Sequence, residues 1–208
     1  MKIDFRLYLI TGSHFCENEN ILPVARVACA AGIKAIQLRE KGWSARQVFE
    51  TATQLKEICG ASRTKLFIND RADIADAVGA DGIHLTSQSL PVSVVRNFVT
   101  FPKLIGVSTH SLAEAALAEA NGADFIVFGP IFDTPSKRVY GSPQGLEKLK
   151  QVAKGVRIPV FAVGGIDSER AFQCRKNGAW GVALISAIMS ADNITKKILE
   201  FETALGSL

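Results

Sequence analysis

Eight short apolar runs alternate with longer amphipathic stretches along this chain, and few architectures accept that rhythm. The runs Leu7–Ile10, Ala35–Leu38, Leu66–Ile68, Gly82–Leu85, Leu104–Val107, Phe125–Phe128, Val160–Val163 and Gly181–Ile185 read as strands. They are apolar throughout rather than alternating, which is what a parallel sheet covered on both faces requires. Between and after them the spacing predicts helices over Leu22–Ala31, Ala45–Cys59, Ala72–Val78, Pro91–Val99, Leu112–Asn121, Gly145–Lys154, Ser168–Lys176 and Ile194–Leu205. Eight β-then-α units within 208 residues point to an α/β protein, a compact single-domain (β/α)8 TIM barrel over residues 1–208. A doubly wound open sheet is the runner-up. It calls for a Gly-rich turn after the first strand, and Thr11-Gly12-Ser13 is too thin for one.

Several helices end in one phrase: Ala31-Gly32-Ile33, Gly79-Ala80-Asp81, Asn121-Gly122-Ala123-Asp124 and Asn177-Gly178-Ala179. Gly or Asn in a left-handed position stops the helix before the next strand enters. No apolar run reaches the roughly 18 residues of a membrane span, and the first residues lack the pattern of a signal peptide. The expectation is a cytoplasmic protein. A net charge of +4 without a run of basic residues argues against nucleic acid. Cys16, Cys29, Cys59 and Cys174 lack metal-ligand spacing and read as reduced thiols.

In such a barrel the site forms where the strands end. Strand two ends in Gln37-Leu38-Arg39-Glu40-Lys41. Alternation puts Gln37 and Arg39 on one face. Arg39 offers a bidentate fork for phosphate and Lys41 a point charge. The same pentapeptide reads equally as a surface Arg–Glu–Lys cluster. Strand three ends in Asn69-Asp70-Arg71, where Asp70 suits a magnesium ligand and either Asn69 or Asp70 suits a helix cap. Strand five ends in Ser108-Thr109-His110-Ser111, with Thr109 or Ser111 as a cap and His110 as a titratable group. His14 reads as a surface residue.

After strand six comes Gly129-Pro130-Ile131-Phe132-Asp133-Thr134-Pro135-Ser136-Lys137, a loop of donors with one cation that suits capture of a phosphate or pyrophosphate. Gly164-Gly165-Ile166 and Ile185-Ser186-Ala187 follow strands seven and eight. Their backbone N–H groups make an anion site between two loops.

Taken together, these motifs resemble the thiamine-phosphate synthase and thiazole tautomerase superfamily almost end to end. The resemblance rests on Tyr8-Leu9-Ile10-Thr11, Gln37 to Lys41, Ile68 to Arg71, Gly106 to His110, Gly129 to Lys137, Gly164 to Ile166 and Ile185 to Ala187. It implies a transferase of thiamine biosynthesis. The enzyme couples hydroxymethylpyrimidine diphosphate to thiazole phosphate and releases pyrophosphate through a pyrimidine methyl cation. By resemblance, Gln37, Arg39, Lys41, Asn69 and Lys137 contact the pyrimidine diphosphate, and Asp70 holds Mg2+. Ser108 lines the pyrimidine and pyrophosphate pocket. Thr134, Ser136, Gly165 and the Ile185-Ser186 backbone hold the thiazole phosphate. The implied partners are phosphorylated small molecules, and barrels of this size often form homodimers.

There is one departure. The fourth-strand loop of the synthase pattern carries a second magnesium carboxylate, and here Thr86-Ser87-Gln88-Ser89 puts Ser89 in its place. Two alternatives follow: a tautomerase-type isomerase, whose expected histidine after the sixth-strand glycine is Pro130 here, and a non-catalytic phosphate-ligand binder.

Overall fold

The computed structural model describes residues 3–99, 103–134 and 142–206. Its strands are β1 (Leu7–Ile10), β2 (Ala35–Leu38), β3 (Lys65–Asn69), β4 (Gly82–Leu85), β5 (Leu104–Thr109), β6 (Phe125–Phe128), β7 (Val160–Val163) and β8 (Gly181–Leu184). All neighbours pair in parallel and β8 closes on β1, so the sheet is a barrel. The open-sheet alternative is thereby excluded. The described helices are α1 (Leu22–Ala30), α2 (Ala45–Ala61), α3 (Ala72–Ala77), α4 (Val92–Phe98), α5 (Leu112–Ala120), α6 (Gly145–Gly155), α7 (Ser168–Lys176), α8 (Ser186–Met189) and α9 (Ile194–Leu205). Ile185 leaves β8 to become the N-cap of α8, a turn that the sequence reading had merged into the last strand.

Strand side chains alternate between two apolar compartments, which explains why the runs show no polar face. Leu7, Leu9, Ile36, Leu38, Leu66 and Ile68 point outward into the layer beneath the helices. Tyr8, Ile10, Ala35, Phe67, Leu104, Phe125 and Phe161 point inward, together with Phe5. The inner aromatics form a plug. Tyr8 and Phe67 stand 5.2 Å apart edge to face, as do Phe67 and Phe125 at 5.6 Å. Two glycines make the space: a Cβ on Gly82 would lie 2.2 Å from Phe67 Cε1, and one on Gly106 2.3 Å from Phe125 Cζ. The barrel is therefore filled rather than hollow, and ligands are confined to its rim.

The helix-ending phrases behave as read, with Gly32, Gly122 and Gly178 at φ of 91°, 91° and 92°. Their aspartates add a second function. Asp81 accepts the Leu66 N–H at 3.0 Å and pairs with Lys56 at 2.9 Å. Asp124 accepts the Ile105 N–H at 2.7 Å and pairs with Arg96. Each carboxylate thus satisfies a backbone donor at the bottom of the preceding strand and pins the turn there.

Candidate active site

The strand ends converge on one rim. Gln37 is fully buried within β2 and donates from Nε2 to the Tyr8 hydroxyl at 3.0 Å. Burial pushes the Tyr8 phenol well above its ordinary range, although the Gln37 hydrogen bond opposes this, so Tyr8 stays neutral. Arg39 is half-buried just beyond, and Lys41 is exposed. Glu40 does not join them in a surface cluster. It accepts from Thr11 Oγ1 at 2.6 Å and from the Ser13 N–H at 3.0 Å. The Arg39 N–H in turn donates to Thr11 Oγ1 at 2.9 Å. The acid therefore clamps the β1 loop against the β2 loop and leaves the two cations on the rim.

Asn69 closes β3, and Asp70 follows with a left-handed backbone at φ 64°. The Asp70 N–H donates to the His84 carbonyl across the sheet at 2.8 Å. Neither Asn69 nor Asp70 caps α3: its N-cap is Arg71, with no side-chain cap. A non-glycine residue in this conformation is strained, a condition found where surrounding structure holds a functional group in place. Asp70 lines a cavity of about 430 Å³ together with Gln88, Ser89 and Phe98. Position 89 is thus brought to Asp70, and its hydroxyl is engaged within the β4 loop, lying 3.2 Å from Thr86 Oγ1. Ser89 Oγ accepts the Thr86 N–H at 2.8 Å, closing the β4 loop. Asp73 lines the same cavity but is held by the Arg71 guanidinium.

His84, on β4, is 2% exposed, and its Nε2 lies 2.9 Å from Ser108 Oγ on β5. Burial first, and the Arg39 charge second, push the His84 imidazole down to about 3, so the ring is neutral. His110 is exposed at the rim and lies 2.6 Å, through Nδ1, from the Gly129 carbonyl. Its ring ties the β5 loop to the β6 loop. Ser111, rather than Thr109, caps α5.

The β6 and β7 loops zip together: the Ile131 N–H donates to the Val163 carbonyl at 2.8 Å and the Phe132 N–H to the Gly164 carbonyl at 3.1 Å. Gly165, at φ 64°, lies beneath this seam, where a Cβ would fall 2.7 Å from the Asp133 carbonyl oxygen and 3.2 Å from Thr134 Oγ1. Thr134 is half-buried and donates to the Phe132 carbonyl at 3.1 Å. Ile185 and Ser186 open α8. Ser136 and Lys137 lie outside the described residues. An open groove of about 580 Å³ between α7 and α9 lies on the outer helical face, with no strand-end residue in its lining.

Four buried side-chain polar atoms on the adjacent strands β2 to β5 lack a hydrogen-bond partner among the described residues: Gln37 Oε1, Asn69 Oδ1, His84 Nδ1 and Thr109 Oγ1. Asn69 and His84 are register partners, and Gln37 pairs with Phe67, two residues before Asn69. Each unsatisfied group costs about 1–3 kcal/mol. Of these, the two amide oxygens, Gln37 Oε1 and Asn69 Oδ1, are acceptors that polar groups of a ligand would satisfy.

The family model for thiamine monophosphate synthase matches residues 7–188. The chain belongs to the thiamine-phosphate synthase family. It is 46% identical over 189 residues, 91% of this chain and 89% of its relative, to a putative thiamine-phosphate synthase of Geobacter sulfurreducens. It is 40% identical to the thiamine-phosphate synthase of Enterococcus faecalis, covering 95% and 93%. A solved thiamine phosphate pyrophosphorylase from Pyrococcus furiosus superimposes with a TM-score of 0.88 at 33% identity, covering 97% of this chain and 95% of that one. The family places the chain among the transferases of thiamine biosynthesis.

The motifs read from the sequence thus gather at one rim as far as the described residues reach. The sequence reading assigned no role to His84, Tyr8 or Glu40. Tyr8 sits within a quoted phrase and His84 within the fourth apolar run, but nothing local to either marks a cross-strand hydrogen bond.

Proposed function

We propose that the protein is a thiamine-phosphate synthase, joining hydroxymethylpyrimidine diphosphate to thiazole phosphate. The observation that carries this reading is the pair of unsatisfied buried oxygens, Gln37 Oε1 and Asn69 Oδ1, beneath a rim bearing Arg39 and Lys41. Acceptors below cations suit a ligand that has an amino-bearing heterocycle at one end and a diphosphate at the other. A ligand with an anion alone would leave the buried acceptors unmet.

In this reading the C–O bond to the pyrimidine methylene breaks first, and the electron pair leaves with pyrophosphate. The thiazole nitrogen then forms the C–N bond. The chain handles charge throughout. Arg39, Lys41 and Lys137 stabilise the departing oxygens, and Ser108 donates to them. Thr134 and Ser136, with the backbone of Gly165 and Ile185-Ser186, hold the thiazole phosphate.

Among the described residues there is no group of three or more His, Cys, Asp or Glu side chains able to hold a metal ion. The donor set still fits magnesium, which often takes one or two carboxylates and completes its shell with water and substrate phosphates. Asp70 would be that carboxylate here. The ion supplies positive charge to the leaving pyrophosphate. With the neutral Ser89 beside it in place of a second carboxylate, the rest of the metal's shell would come from water and the diphosphate oxygens.

A tautomerase-type isomerase is the second reading, favoured by the missing carboxylate at Ser89. His110, fixed through Nδ1 on Gly129, would be its acid–base group. A phosphate-ligand binder without turnover is the third. Asp70→Ala separates the first from both others. The synthase reading expects magnesium-dependent pyrophosphate release to be lost in this variant, and Lys137→Ala to weaken it. Wild-type rates in both variants would overturn it. No described helix is long and apolar enough to cross a membrane, and we place the protein in the cytoplasm. Barrel size favours a homodimer, which light scattering tests; a monomer mass would overturn it.

A further inference from the structure

His84 has no role in the reaction as derived, yet it is a buried polar side chain in a barrel otherwise plugged with aromatics. Its ring lies 5.8 Å from Tyr8 and 6.1 Å from Phe125, centroid to centroid, so it is packed on two sides. Its Nε2 meets one polar partner, Ser108 Oγ at 2.9 Å. Its Nδ1 meets none.

The two nitrogens cannot be interchanged. A Cβ built on Gly106 would lie 2.8 Å from His84 Nδ1. In a glycine that direction is filled by a Cα–H. A bare ring nitrogen accepts a weak contact from a C–H group, whereas a protonated one would press its hydrogen against another and remain an orphaned buried donor. The proton of the neutral ring therefore belongs on Nε2, and Ser108 Oγ is its acceptor. A serine hydroxyl that accepts there has its own proton left to give elsewhere. Ser108 is half-buried, two residues beyond Gly106 toward the strand end, while Gly106 is in register with His84.

We propose that His84 is a positioning residue: its Nε2–H donates to Ser108 Oγ and turns the serine proton toward the rim, where it donates to an anionic oxygen of the diphosphate. The inference rests on the synthase reading for the identity of the anion. The tautomer itself does not depend on that reading. The physical content is orientation: a hydroxyl free to rotate must be aligned when the anion binds, and one whose lone pair is already engaged is aligned beforehand.

Two measurements test it. Long-range nitrogen–proton correlation spectra on the folded protein, which has three histidines, show which nitrogen of His84 bears hydrogen. The expected result is a protonated Nε2 and a bare Nδ1, and the opposite tautomer overturns the proposal. The second is calorimetry with inorganic pyrophosphate and magnesium on wild type, His84→Leu, His84→Gln, Ser108→Ala and the His84→Leu/Ser108→Ala double variant. His84→Leu and Ser108→Ala should each weaken binding by about tenfold, one aligned charge-assisted hydrogen bond. The double variant should be no weaker than either single one. His84→Gln, whose amide places an N–H near the same point, should recover part of the loss. Additive losses, no rescue by Gln, or no pyrophosphate binding by the wild type would each overturn the proposal. Failure of turnover with intact pyrophosphate binding would instead strike only the synthase reading.

Discussion

Ser89→Asp is the most informative substitution in the fourth-strand loop. Ser89 and Asp70 line one cavity, and Ser89 Oγ accepts the Thr86 N–H at 2.8 Å. An aspartate can make the same bond, as an acidic residue does when it reaches back to the start of a turn. One carboxylate oxygen would close the loop and the other would face Asp70. The gain follows from Coulomb's law. A unit charge pair about 4 Å apart is worth about 4 kcal/mol at an effective dielectric near 20, and about 1 kcal/mol in bulk water. Position 89 is half-buried between exposed Gln88 and Leu90, so the aqueous end of that range applies. A gain of about 1.4 kcal/mol, or about tenfold, is expected in magnesium affinity with pyrophosphate present. Isothermal calorimetry of magnesium into protein and pyrophosphate gives the number, and thermal unfolding checks that the loop survives. A folded variant whose magnesium affinity is unchanged or reduced would refute the placement of the metal beside Asp70 and Ser89.

Two other substitutions test how the rim is held. Gly165→Ala should destabilise the protein by about 2 kcal/mol, because an L-residue in the left-handed region costs roughly 1–2 kcal/mol and its Cβ would meet the Asp133 carbonyl at 2.7 Å. Thermal unfolding measures this, and an unaltered midpoint would show that the β6–β7 seam gives freely. Glu40→Ala removes the acceptor of both Thr11 Oγ1 and the Ser13 N–H. A loss of about 2 kcal/mol is expected for hydrogen bonds to a charged group, read by denaturant unfolding; equal midpoints for wild type and variant would mean the β1 loop is held by other contacts.

The barrel was legible because its determinants are local. A strand buried on both faces is apolar at every position, as in Phe125–Phe128, and a helix stop needs only a glycine such as Gly122. The rim motifs were legible for the same reason, since strand-end loops carry their polar residues in short phrases. What stayed hidden depends on register. Glu40 looked like one member of an Arg–Glu–Lys surface cluster because its partners, Thr11 and Ser13, lie 29 and 27 residues away. Asp70 reads from the sequence as a magnesium ligand or a helix cap, yet its backbone turns left-handed with its N–H on the His84 carbonyl, an arrangement set by β3–β4 pairing. The link from His84 to Ser108 likewise exists only once β4 and β5 are aligned. The aspartates of the helix-ending phrases were read past because a stop signal already accounted for the glycine beside them.

The central claim is pyrophosphate-releasing coupling, and one incubation tests it most directly. Purified protein is given hydroxymethylpyrimidine diphosphate and thiazole phosphate, with and without magnesium, and thiamine phosphate and pyrophosphate are both quantified. The account predicts equal amounts of the two products with magnesium and neither without it. Isomerised thiazole phosphate formed without metal, or ligand binding with no product under either condition, would contradict it.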